Sequence, residues 1–398
     1  MPNYDGSGFG GRSEGTRRVV PTVFRESVMI AHTTLFRSRA SSQQPSRGTD
    51  MRAAGRFPQP GSLVVVTGGT GLVGNNVVRL LHAQGHRVRA LVRPRRSGID
   101  RSLADLPIDI VEGSLGDDSF LERGCEAASL VVHAAGMVHI GRRHSDEMWT
   151  TNVEGSRRVA HAARGAGAKM VHVSSVDAIG LRHDGQPADE ETPPGGLQEC
   201  AYVATKREAE AAVLSEVERG LDAVIVNPVY MLGPWDWKPS SGRMLLEVAA
   251  GKGTFAPPGS NDFVDVRDVA NGIVLAACRG RTGRRYILGG HRLSYLEAWR
   301  VFAEVAGRMP PLGIAPPAAV RVAGLVGDLA GMFMKREPAL NSIAAASSLL
   351  PHNFSSERAR TELGYRFRSF ESTVSDAFDW FVEHGYARIT RSRTAVAR

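Results

Sequence analysis

The stretch Val64-Val-Val-Thr-Gly-Gly-Thr-Gly-Leu-Val-Gly74 constrains this chain more than any other. Its β-branched residues suit a buried parallel strand, and Gly68, Gly71 and Gly74 suit a tight turn. An amphipathic stretch from Leu72 to His82 follows at once, and a second strand pattern runs from Val88 to Val92. Strand, glycine turn and helix start in that order build a cradle for a pyrophosphate. Bare glycines let the backbone approach the anion, and the helix N-terminus offers free N–H groups with a partial positive charge. The expected contacts come from Gly68, Thr70, Gly71, Leu72, Val73 and Gly74. A glycine triplet alone says little; between a strand and a helix it is specific.

A chain of 398 residues with a formal net charge of +8 invites a nucleic-acid reading, but the charge is unevenly placed. Residues 1–60 hold nine Arg against four acids, and residues 385–398 hold four Arg and no acid, which leaves residues 61–384 at −1. The folded body thus carries no basic binding face, and no nucleic-acid partner is expected. Hydrophobic content of 42% and charged content of 23% are ordinary for a globular protein. Cys125, Cys200 and Cys278 lie far apart and form no CxxC pair, which fits a reducing compartment and a cytoplasmic location. His139, His144, His161 and His172 lack metal-ligand spacing, so no metal is expected. No uncharged apolar run is long enough to span a membrane. The nearest, Pro316 to Met334, is interrupted by Arg321 and Asp328 and reads as a helix packed on the body, with monotopic membrane contact as the alternative.

Residues 1–60 show little periodicity and read as a disordered basic tail without the apolar core of a secretory signal. Met51 is a second candidate start. From Ser62 short apolar runs alternate with helical segments. Strands are expected at 62–67, 87–92, 108–111, 129–133, 169–174 and 222–226, and helices at 71–84, 117–123, 151–166 and 202–219. That alternation predicts a parallel sheet covered on both faces. Past Pro228 it stops. Residues 231–385 read as a smaller, mostly helical substrate lobe, with 263–290 partly returning to the first domain (61–230) and a basic tail at 386–398. Within the lobe, 265–278 reads as a helix and 285–288 as a strand. Ser294-Tyr-Leu-Glu297 is a capping box opening a helix over 295–307.

Tyr202-Val-Ala-Thr-Lys206 opens the helix at 202–219 and puts a phenol and an ammonium on one face. Free tyrosine, with a pKa of about 10, exchanges protons poorly at neutral pH, and a nearby ammonium is expected to lower it. Two strand ends precede this pair. His133-Ala134-Ala135-Gly136 offers small residues against which a ribose and nicotinamide can lie. Val171 to Gly180 carries Ser174 and Ser175 at its strand end, where a hydroxyl can bind a substrate oxygen as negative charge develops.

These residues resemble the extended short-chain dehydrogenase/reductase superfamily, in its NAD-dependent epimerase/dehydratase group, over about Leu63 to Trp380. TGGTGLVG matches the pattern TGxxGxxG. His133 to Gly136, the Ser174-Ser175 strand end, YxxxK, Asn227-Pro228 and Phe263 to Ala270 follow in family order. The block Asn227 to Ser240 is most similar to the dihydroflavonol-reductase-like and hopanoid-associated epimerase-like branch. The resemblance implies a Rossmann-type doubly wound α/β fold and a catalytic set of Ser175, Tyr202 and Lys206. It also implies cofactor contacts at Ala134, Ala135, Gly136, Tyr202, Lys206, Asn227 and Pro228, and a homodimer through helices that include 202–219. Asn152 matches a family asparagine near the cofactor, with helix packing as its other reading.

Cofactor choice turns on the end of the second strand. Enzymes selective for NAD place an acid there; here Val92 is followed by Arg93, Pro94, Arg95 and Arg96. An arginine fork suits a 2′-phosphate, so NADP is favoured over NAD, with Arg93 the first choice. Ser114-Leu115 stands where many relatives carry Asp before an apolar residue at the adenine. Asp177 occupies one half of the Asp-Glu pair of sugar-nucleotide dehydratases, with Val176 in the other half, so dehydration is disfavoured and Asp177 also reads as a loop cap. Trp235, Trp237 and Lys238 either line the substrate pocket or pack between lobes. The expectation is a ketone or aldehyde reductase acting on a small molecule. A sugar-nucleotide epimerase with retained cofactor and a non-catalytic dinucleotide sensor are the alternatives.

Overall fold

The computed structural model describes residues 58–94, 100–334 and 337–388. Most of the N-terminal tail, Met51, Arg95, Arg96 and the chain beyond residue 388 lie outside the described residues.

The β-branched run forms β1 (Leu63–Thr67), buried along its whole length, and the turn leads into α1 (Leu72–Ala83). There follow β2 (Arg87–Val92), β3 (Asp109–Glu112), α2 (Asp118–Cys125), β4 (Leu130–His133), α3 (Ser145–Met148), α4 (Gly155–Gly165) and β5 (Lys169–Val173). The long helix α5 (Ala201–Glu218) then precedes β6 (Ala223–Pro228) and β7 (Tyr230–Leu232). Past these come α6 (Gly242–Ala249), β8 (Phe255–Ala256), β9 (Ser260–Asp265), α7 (Val266–Arg279), β10 (Arg285–Leu288) and β11 (His291–Ser294). The last elements are α8 (Tyr295–Val305), β12 (Gly313–Ile314), α9 (Pro317–Phe333), α10 (Ser342–Ser347) and α11 (Phe370–Glu383).

Seven strands form one sheet in the order β10-β6-β5-β4-β1-β2-β3, every pairing parallel. The order reverses at β1, between β2 and β4, which opens a crevice at the strands' carboxyl ends. One apolar cluster joins Val64, Val66, Val77 and Leu81 to Val171, Val224 and Ile273. A second joins Val65, Leu91, Val131, Val159 and Val213. The alternation of β1 between these clusters is what a sheet buried on both faces requires.

The crevice depends on two glycines. Gly68 has φ +74°, and a Cβ there would come within 2.5 Å of the Ala135 nitrogen. A Cβ on Gly74 would fall 2.2 Å from the Gly68 carbonyl oxygen. Turn, strand end and helix therefore meet backbone to backbone.

Two regions differ from the sequence reading. The helix expected over 151–166 starts earlier, at Ser145, and passes through a π-turn (Trp149–Glu154) before α4. The wider turn breaks the regular spacing by which a helix is recognised. The segment expected to be mostly helical also holds a three-stranded sheet, β11-β9-β7, and a two-stranded ribbon, β12-β8. Strands this short leave no alternation to read. A third core of Phe263, Phe302, Phe370, Phe378 and Phe381 fills that region. Ser294 and Glu297 form the expected capping box.

Gly74→Ala should cost about 1–3 kcal/mol by overpacking. The check is a lower Tm together with weaker dinucleotide binding.

Candidate active site

Helix α1 starts at Gly71 with no side-chain cap and no acid in its first turn. Its leading amides therefore face the crevice unspent, which suits an anion. This fits a dinucleotide, whose pyrophosphate Thr70, Gly71, Leu72 and Val73 would hold. Beside Thr70 a cavity of about 370 Å³ is lined by Val92, Arg93, Asp100, Glu112 and Lys238 among others. Arg93 is exposed at the end of β2. Lys238 Nζ donates to Asp100 at 3.2 Å. Burial pushes the Asp100 carboxyl up, but Ser102 and Lys238 outweigh it and leave the pKa at about 2. Lys238 thus faces the dinucleotide side. Trp235 and Trp237 pack instead in an aromatic cluster with Trp380 and His384, where Arg79 lies 3.3 Å from the Trp235 ring centre. Ser114 accepts from the Gly116 amide at 3.1 Å, and Leu115 packs against Gly155.

Beneath the crevice a chain of polar groups joins the strand ends. Ser156 donates to the Asn152 carbonyl at 2.5 Å, so at 2.9 Å it accepts from His133 Nε2. His133 Nδ1 then accepts from the Thr67 hydroxyl at 2.7 Å, and Thr67 accepts from the Ala135 amide at 3.3 Å. A neutral imidazole satisfies this chain. Burial and the Lys206 ammonium hold His133 at about 3. His172, stacked 5.4 Å away, is lowered as well by burial, His133 and Lys206. Asn152 turns back on the loop after Gly136: it accepts from the Met137 amide at 2.7 Å and donates to the Met137 carbonyl at 3.0 Å and to Thr205 at 3.1 Å. Its carboxamide is spent on these ties.

Ser175, Tyr202 and Lys206 converge above this layer, all three buried. Ser175 caps the short helical turn Val176–Ala178 and donates its proton to Asp177 at 2.8 Å. The cap is thus the serine's: the Asp177 amide donates to Ser175 Oγ at 3.2 Å, and the Asp177 carboxylate accepts the serine proton. The Tyr202 phenol lies beside Ser175, which favours its ionised form. Lys206 Nζ donates to the Val173 carbonyl at 3.3 Å and stands beside Gly136. Asn227 donates to the Ser175 carbonyl at 2.8 Å and to Glu210 at 2.6 Å, and Arg285 holds Glu210 at 2.5 Å. Asn227 thus fixes Ser175 from below, and Pro228 ends β6 paired with Leu288.

The electrostatics depart from expectation in one respect. Burial and the Asp177 charge push the Tyr202 phenol well above its usual value, against the Ser175 hydrogen bond. The expected acidification by the lysine is not seen: burial is the largest influence on the phenol, and Lys206 is not among the charges that act on it. Burial brings Lys206 down to about 8, against Glu210 and Asp177. Asp177 also acts on Tyr295 and His352, from segments that sequence reasoning did not connect to the site. Tyr295 accepts from Asn261 at 3.3 Å, and His352 Nδ1 meets the Ser260 carbonyl at 3.3 Å. A capping box and a lone histidine carry no signal for either role. Among the described residues no group of three His, Cys, Asp or Glu could hold a metal ion.

Residues 64–289 match the model of the NAD dependent epimerase/dehydratase family, to which the chain belongs. It is 35% identical over 334 residues to a putative dihydroflavonol 4-reductase of Synechocystis sp., covering 81% of this chain and 95% of that protein. It is 34% identical over 325 residues to sterol demethylase protein B of Methylococcus capsulatus, covering 81% and 98%. The solved structure of gox2253 superposes with a TM-score of 0.72 at 36% identity, covering 82% of this chain and all of that one. Other relatives bear the names of reductases and dehydrogenases. The chain is an NAD(P)-dependent oxidoreductase of the reductase kind.

If Lys206 is to hold a dinucleotide it would do so as an ammonium, and NAD(P)H affinity should then fall as pH rises through about 8. Fluorescence titration checks this, and Lys206→Met should flatten the dependence.

Proposed function

We propose that the chain reduces a neutral, lipophilic ketone or aldehyde with NADPH, using Ser175, Tyr202 and Lys206. The observation that carries the reading is the buried Tyr202 phenol, kept protonated by burial and the Asp177 charge, with Ser175 beside it. A phenol held in its acid form is a proton donor, which suits carbonyl reduction over alcohol oxidation. A carbonyl oxygen lying between the two hydroxyls accepts from Tyr202, and from Ser175 once the serine proton turns away from Asp177, and Tyr202 passes its proton as negative charge builds on that oxygen. Lys206 sits beside Gly136, where it can hold the ribose and keep the pair aligned. The nicotinamide, when bound, supplies the hydride. Gly68 and Gly74 shape the turn, Ala134, Ala135 and Gly136 give room for the ring, and Ser114 and Leu115 edge the adenine side. Asn227 and Pro228 set the strand end beneath Ser175.

Arg93 at the mouth of the cavity favours the 2′-phosphate of NADPH, and Lys238 adds a second cation there. The charge that acts most strongly on Tyr202 among its neighbours is the Asp177 carboxylate. A nucleoside diphosphate would stand against it, whereas an uncharged ring system would not. The dihydroflavonol and sterol in the relatives' names are of the uncharged kind. Three free cysteines accord with a reducing compartment such as the cytoplasm. Pairing of two copies through α5 belongs to the same reading.

Tyr202→Phe should lower kcat/KM about 100- to 10,000-fold, with NADPH affinity nearly unchanged. NADPH oxidation against neutral alicyclic ketones and against sugar nucleotides checks both donor and substrate class. Turnover that survives in the variant would sink the mechanism. Arg93→Ala should weaken NADPH about tenfold or more and leave NADH unaffected, as read by competitive binding.

A further inference from the structure

Helix α9 has two faces of opposite character. Val320, Gly324, Gly327 and Gly331 are buried along one side. A Cβ on Gly327 would fall 1.8 Å from the Leu340 carbonyl oxygen, and one on Gly324 would meet Ala345 at 2.7 Å, so α10 and the chain before it lie directly on the helix backbone. On the opposite side, at helical spacing, Val322, Leu325, Val326, Leu329 and Phe333 stand in solvent, with Met332 at the edge. Phe333 is 85% exposed and Met332 74%. Together these side chains expose apolar surface on the order of 700 Å², more than a soluble monomer ordinarily leaves open.

Two arginines stand exposed at the stripe's rim. Arg321 flanks it and is exposed, as is Arg142 near its far end. Arg143 donates to the Gly331 carbonyl at 2.5 Å and the Met334 carbonyl at 3.2 Å. The two acids of this region are turned inward. Asp328 accepts from the Ser342 amide at 2.9 Å, and Glu337 holds His139 at 2.8 Å and accepts from the Arg142 and Arg143 amides. No helix among the described residues is long and apolar enough to cross a membrane.

We propose that this face of α9 lies in the headgroup region of an anionic lipid bilayer. An apolar ridge with Arg321 and Arg142 exposed at its rim, and with Asp328 and Glu337 tied to backbone amides, matches such a surface. It does not match a second copy of itself. Antiparallel pairing of two α9 helices brings Arg321 of each against the Arg142 end of the other, and parallel pairing sets Arg321 against Arg321. The loop after Gly136 contacts the same hairpin, since Asn341 donates to the Ile140 carbonyl at 2.7 Å. The lipid surface would therefore meet the edge of the catalytic crevice. The inference rests on α9 and not on the substrate reading.

The test uses the full chain with phosphatidylcholine–phosphatidylglycerol vesicles and with phosphatidylcholine alone. Co-sedimentation with the anionic vesicles is expected, and Leu325→Glu with Leu329→Glu should reduce it about tenfold or more. NADPH affinity and Tm of this double variant report an intact fold. The basic tails remain in the variant, so undiminished sedimentation would assign binding to them and overturn the proposal. In a Phe333→Trp protein, added emission should shift to the blue and be quenched by brominated acyl chains; emission that ignores the vesicles overturns it too. So would light scattering in which the double variant splits an oligomer while the parent protein ignores lipid.

Discussion

The carbonyl of Gly68 is the point on which this molecule is hung. It crowds Gly74 of the first helix, and Gly68 itself abuts Ala134 and Ala135 at the end of the neighbouring strand. Three pieces of backbone meet there with no side chain between them. The sheet's change of direction at β1 supplies the crevice, but this contact decides how tightly its walls close and where α1 aims its free amides. Every other site residue is placed relative to that meeting point.

Under it lies a polar layer that fixes orientation where apolar packing would not. The run from Thr67 through His133 and Ser156 to Asn152 ties both strand ends to the loop that passes Lys206. On the other side, Arg285, Glu210 and Asn227 brace the carbonyl of Ser175. Buried networks of this kind gain specificity of geometry when each member is satisfied. Phenol and lysine are thus held on α5, and the serine just past β5 as the cap of a short helical turn, which is what a reacting pair needs to stay within reach.

Much of this was legible in the chain because the physics is local. A β-branched run ending in glycine has few alternatives, and the six early strands lie within a residue or two of where patterning put them. The box at Ser294 needs only its own four residues. What was not legible depends on distance along the chain. Asp177 acts, after burial, on Tyr202, Tyr295 and His352, yet those residues sit on α5, α8 and the segment after α10, with nothing periodic to join them. The expected effect of Lys206 on the phenol failed for a related reason: solvent exclusion around Tyr202 is a property of the assembled fold, and the neighbour that spacing alone made obvious is not among the charges that act on it. The sequence also could not say which side of α9 would stay bare, because that depends on how closely α10 packs on its glycines.

The stacked imidazoles of His133 and His172 have a consequence for the whole protein. Both are kept from protonating inside the fold, His133 down to about 3, while in an open chain each titrates near 6.5. Between those values only the unfolded form gains protons, so the stability present above about 6.5 drains steadily into acid. Two uncharged bases beneath the crevice thus add to the acid sensitivity that paired carboxylates such as Asp100 also confer.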